Sequence, residues 1–132
     1  MDDKTMVNDI LASVKSDLTA YQTAITETEN MQLRQTFQQI RNSDESFQYE
    51  LYKVANAKGY YTPAQKASTT EIQTVRTELQ HLRHLIGAHE TSYQKLNTYA
   101  SQTQDAQIKQ MFTKSAQDAL NTKQKLMSFL NN

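Results

Sequence analysis

Apolar side chains recur along most of this chain at alternating spacings of three and four residues, the mark of a helix turning one face to a core. The pattern is cleanest where Leu33, Phe37, Ile40, Asp44, Phe47, Leu51 and Val54 form a heptad seam, interrupted once by the carboxylate of Asp44. An earlier stripe runs through Val7, Ile10, Leu11, Val14, Leu18, Tyr21 and Ile25, with Asp17 on its flank. A third joins Ile72, Val75, Leu79, Leu82, Ile86, His89, Tyr93, Leu96 and Ala100, and a fourth joins Ile108, Met111, Phe112, Ser115, Ala119, Leu126 and Phe129. Four such stripes predict an all-α chain folded as a four-helix bundle.

Local signals set the boundaries. Asp2 or Asp3 is suited to cap the first helix, which is expected to run to about Glu27. Asn30 is the expected cap of the second helix, and Gly59 its terminator with a positive φ. Ser68-Thr69-Thr70-Glu71 fits a capping box and predicts the third helix from residue 69. Gly87 falls inside that helix and predicts a close approach by a neighbour. The fourth helix is expected to open near Asp105. The chain then reads as a single domain over 1–132: a helical hairpin at 3–58, a linker at 59–68 and a second hairpin at 69–130.

LRQTF at 33–37 resembles IKQMF at 108–112, and Tyr21-Gln22 resembles Tyr93-Gln94, so the second hairpin reads as a diverged copy of the first. Two related hairpins joined by a longer link is the plan of ferritin-like bundles, with a crossover between helices 2 and 3; a simple up-down-up-down bundle is the alternative. The middle of the fourth stripe is small, at Ser115, Ala116, Ala119 and Thr122. Close packing therefore calls for Phe47, Tyr93 or His89 to fill that layer from across the bundle.

Composition narrows the function classes. Lys plus Arg and Asp plus Glu number 14 each, leaving no net charge. Residues 1–66 carry seven basic against nine acidic residues, and 67–132 seven against five. The basic residues are dispersed, which argues against nucleic-acid binding. The absence of cysteine excludes disulfides, thiolate metal sites and a thiol nucleophile. No apolar run reaches the roughly 18–20 residues of a membrane span. The opening MDDKTMVNDI lacks the basic and apolar regions of a signal peptide, so a cytoplasmic location is expected. Glutamine and threonine number sixteen each, an uncharged polar surface suited to protein partners or self-association.

Candidate chemistry is sparse. A carboxylate-bridged di-metal centre needs a Glu from each of two helices and an ExxH pair from each of the other two. The fourth helix has neither Glu nor His, and Glu78-Leu79-Gln80-His81 is the one ExxH. Helix geometry at 100° per residue puts Glu78 near the core stripe, His81 at its edge and His84 in solvent. His89 occupies a core position, where a buried imidazole needs a partner; Asp44 is the natural one, with Asp17 and Glu90 as flank candidates. Asp44, His89, Asp17 and Glu90 are thus a candidate buried polar layer. Two glycines in all argue against phosphate-cradling loops, and no Ser-His-Asp pattern is present. Neither a catalytic group, a metal ligand set, a cofactor nor a small-molecule substrate is indicated. Tyr49, Tyr52, Tyr60 and Tyr61 cluster toward the end of the second helix as a candidate contact surface.

The first half of the chain also resembles a known family. DILASVKS, AYQTAITE, LRQTFQQIRN and the closing LYKVANAKGYY look like the coat F domain of spore coat proteins from Gram-positive bacteria, over about residues 6–63. Leu85-Ile86-Gly87-Ala88-His89-Glu90 resembles the Gly-x-His-Glu element of their other hairpin. The resemblance implies a ferritin-like bundle and a non-enzymatic spore-coat or related cytoplasmic component. A ferritin-like metal-binding or oxidoreductase protein with a degenerate site is the alternative, with Glu78, His81, His89 and Glu45 as ligands. Two departures stand out. Gln48 takes the place where family members often have a histidine, and the other hairpin here follows the coat F segment instead of preceding it.

Overall fold

The computed structural model describes residues 1–61 and 77–131. They form four helices, α1 (Asp3–Glu27), α2 (Met31–Ala57), α3 (Glu78–Gln102) and α4 (Ala106–Ser128), with no strand among the described residues. Each helix opens on a side-chain cap. Asp2 accepts from the Thr5 N–H, Asn30 from Leu33, and Asp105 from Gln107 and Ile108. α2 ends in a Schellman motif: the Tyr60 N–H donates to the Ala55 carbonyl at 2.8 Å and the Gly59 N–H to Asn56 at 3.2 Å. Gly59 has the expected positive φ, 71°.

Two expectations are corrected. α3 starts at Glu78, where Thr77 and Gln80 form a reciprocal capping box and Thr77 has extended backbone. The expected Ser68–Glu71 start, with Ile72 and Val75, lies outside the described residues. Gly87 is exposed, and a Cβ built on it meets nothing within 4 Å, so no neighbour requires its smallness.

Side-chain bonds give the helix directions. Along α1, Asp9 meets Tyr99 and Lys95, Tyr21 meets His89, and Glu27 lies beside His81, so α1 and α3 run antiparallel. Lys58, just past α2, pairs with Asp105 at 2.6 Å, at the start of α4. At the opposite end Glu78 holds the α1–α2 turn, accepting from the Glu29 and Asn30 N–H groups at 2.7 and 2.8 Å. A carboxylate there also faces the positive end of the α2 dipole. The connection through residues 62–76 lies outside the described residues.

The interior divides in two. Met6, Val7, Ile10, Leu51, Leu96, Ile108 and Phe112 fill one apolar core, at the end where α2 exits. Tyr21, Ile25, Leu33, Phe37, Ile40, Leu82, Leu85 and Leu126 fill the other. Of the packed helix pairs α2 and α4 touch least. The layer that Phe47, Tyr93 or His89 was expected to fill is left as a cavity of about 300 Å³. Phe47 and His89 line it, whereas Tyr93 packs onto the first core. The small side chains of Ser115 and Ala119 are the physical reason: α4 has nothing long enough at mid-length to reach across.

Candidate functional site: a polar layer between two cores

All four helices contribute to this cavity. α1 supplies Ser13 and Asp17, α2 Ser43 and Asp44, α3 His89 and Ser92, and α4 Ser115, Asp118, Asn121 and Thr122. Ser43, Asp118 and Asn121 are exposed and mark an opening on the α2–α4 side. Asp17, Asp44 and His89 are thereby brought to one place. Glu90, the fourth expected member, is not: it turns outward one residue on, accepting from Lys123 Nζ and Gln94 Nε2, both at 2.7 Å. Lys123 and the Gln94 amide hold its carboxyl below the usual range.

His89 is 3% exposed, and its Nε2 is hydrogen-bonded to the Tyr21 hydroxyl, not to Asp44. Tyr21 is fully buried and also packs edge-on to Phe37 at 5.9 Å between ring centroids. Its place in an apolar stripe concealed a hydroxyl that needs a buried partner. Burial lowers the His89 pKa to about 4, so the ring is neutral at pH 7. Burial raises that of Tyr21, with the nearby Asp44 and Asp17 charges adding to it.

The two carboxyls respond the other way. Burial lifts Asp44 to about 7, reinforced by the charges of Asp17 and Asp118. Burial lifts Asp17 to about 6, partly opposed by Lys95. Lys95 itself is engaged elsewhere, with Asp9 at 3.1 Å and Ser13 Oγ at 2.7 Å. Neither Asp17 nor Asp44 accepts a hydrogen bond from the described residues. The layer therefore carries two partly desolvated carboxyls that form no ion pair among the described residues.

The residues weighed as ligands for a metal occupy separate places. Glu78 caps the α1–α2 turn. His81, expected at the edge of its helix face, is 2% exposed, with Nε2 at 3.5 Å from Glu27. Glu45 is exposed beside Arg41 on the α1–α2 surface, and His89 bonds Tyr21. No group of three His, Asp or Glu side chains among the described residues is placed to hold a metal ion. These side chains do not fit a ferritin-like di-metal centre.

The tyrosines divide as well. Tyr49 is 56% exposed with the Lys53 ammonium 4.9 Å from its ring centroid, and Tyr61 is 41% exposed and edge-on to the half-buried Tyr52. Tyr60 packs on the first core, and its carbonyl accepts from Asn8 Nδ2 at 2.7 Å, so it closes the bundle end.

α1, α2 and the Gly59-Tyr60-Tyr61 exit form one continuous unit. Residues 2–65 match the family model of the Coat F domain. The match takes in all of the first hairpin and just under half of the chain. No match was found among curated proteins or among solved structures. None of the helices among the described residues is long and apolar enough to cross a membrane.

Proposed function

We propose that this chain is a non-enzymatic structural and interaction protein of the Coat F type, made for contacts within a spore coat or a related cytoplasmic assembly. The observation that carries the reading is the Coat F match over residues 2–65, which spans a complete helical hairpin with its capped ends. The α3–α4 hairpin completes a ferritin-like bundle in this reading, which the exit of α2 at one end and the start of α3 at the other support. The bundle end bearing Tyr49 and Tyr61 supplies the contact surface, since exposed tyrosines bring large apolar area with a polar tip. The metal-binding alternative is disfavoured by the separate placement of Glu78, His81, Glu45 and His89.

The test is localisation in a spore-forming host. A fluorescent fusion is expected to gather at the developing spore surface, and the chain to be recovered in coat extracts. Uniform fluorescence in the mother cell, with none in the coat fraction, contradicts the reading. Metal analysis after anaerobic Fe(II) and Mn(II) loading provides a second check: one or two retained ions per chain would revive the metal-binding alternative.

A further inference from the structure

We propose that the cavity between the two cores binds a small organic dication, of which an alkyl diamine is the simplest example. The inference is independent of the coat reading and rests on the walls of the cavity. Its volume, about 300 Å³, exceeds what a few waters occupy, and it opens beside Ser43 and Asp118. Two carboxyls on different helices, Asp17 and Asp44, face it without a hydrogen-bond donor from the described residues. The cation whose charge reaches Asp17, Lys95, is held by Asp9 and Ser13. A third group points the same way. His89 is 3% exposed, lines the cavity, and spends Nε2 on Tyr21, leaving Nδ1 without a partner among the described residues. In the tautomer with Nε2–H donating to the tyrosine oxygen, Nδ1 presents a lone pair to an ammonium, and binding would select that tautomer.

The class of ligand follows from what surrounds these groups. Asp17, Asp44 and His89 do not converge closely enough to share one metal ion. The negative charge of the two carboxyls is spread over a wall that also contains Ile10, Val14, Phe47 and Leu96. A methylene chain suits that apolar part, and a nitrogen at each end suits the two carboxyls. Bound there, each ammonium would supply the N–H donors that Asp17 and Asp44 lack.

Calorimetric titration of the whole chain with 1,4-diaminobutane at pH 7.5 and low salt tests this, with ethylamine and Mg²⁺ as comparison probes. Saturable one-to-one binding is expected, at least tenfold tighter for the diamine than for ethylamine. Asp44→Asn should weaken it at least tenfold. Ser115→Leu should abolish it by filling the cavity while both carboxyls remain, and the surface change Glu50→Gln should leave it unchanged. Circular dichroism checks each fold; should Ser115→Leu not fold, Asp44→Asn decides. No saturable binding to the unmodified chain, binding undiminished in Asp44→Asn, or tighter binding of Mg²⁺ than of the diamine would overturn the proposal.

Discussion

The ends of the bundle and its middle are built on opposite principles. At each end, side chains such as Phe37 and Phe112 are fully buried against apolar neighbours from other helices. In the middle, the same helices turn Ser13, Asp17, Asp44, His89 and Ser115 toward a shared space. Burial of apolar area stabilises the ends, at about 25 cal/mol per Å² removed from water. The middle works against that gain, because a desolvated carboxylate without a matching cation is costly. One helix register therefore carries both the stability of the fold and a layer that opposes it. Such a layer is better explained by use than by packing.

The largest expected effect breaks the ends. Phe37→Ala or Phe112→Ala should lower stability by about 3–5 kcal/mol in urea unfolding, each leaving a void in a fully packed core. Next comes the turn that α3 holds: Glu78→Ala should cost about 1–3 kcal/mol, since two N–H groups at the start of α2 lose a charged acceptor. Of similar size is Tyr21→Phe, expected to cost about 1–3 kcal/mol by leaving a buried imidazole nitrogen unpaired. Adding His89→Leu should recover much of that loss, because both halves of the polar pair are then gone. If Tyr21→Phe leaves the melting curve unchanged, the hydroxyl and the imidazole are not partners. The smallest effect concerns a surface: Gly87→Ala should stabilise by about 0.5–1 kcal/mol, because α3 gains helix propensity where nothing crowds the new methyl.

The periodicity made the helices legible because each apolar stripe is long and each end carries a local signal. Asn30, Gly59 and Asp105 act through contacts spanning two to five positions, well inside what a linear reading can test. Thr77 was missed because Ser68-Thr69-Thr70-Glu71 offered the same chemistry earlier, and the sequence does not rank two caps on one apolar pattern. The middle layer was legible in part. Wheel positions turned Asp44 and His89 inward, and both line the cavity. What a wheel cannot convey is which helix lies opposite. The antiparallel run of α1 and α3 sets Tyr21 against His89 and Glu27 against His81, and sends Glu90 to Lys123. Partners in three dimensions depend on that arrangement, not on the face alone.

The pH dependence of stability reads the middle layer directly. Stability changes with pH in proportion to the protons bound by the unfolded chain minus those bound by the folded one. Between the ordinary carboxyl value of 3.8 and their raised values of about 6 and about 7, Asp17 and Asp44 hold more protons when folded. They therefore make stability fall as pH rises through that window. His89 does the reverse between about 4 and its ordinary 6.5, because the folded ring resists protonation. Glu90 and Asp105, held below the usual carboxyl range chiefly by Lys123 and Lys58, act in the same direction as His89, and only at the acid end of the range.

The most direct measurement is urea unfolding of the unmodified chain and of Asp17→Asn/Asp44→Asn from pH 4.5 to 7.5. Two carboxyls against one imidazole should make the unmodified chain less stable at pH 7.5 than at pH 5. The variant should be more stable than it at pH 7.5 by on the order of 1–3 kcal/mol, and its slope should reverse, rising with pH as His89 alone remains. A variant that is less stable at pH 7.5, or that keeps the falling slope, would contradict a desolvated carboxyl layer between two apolar cores.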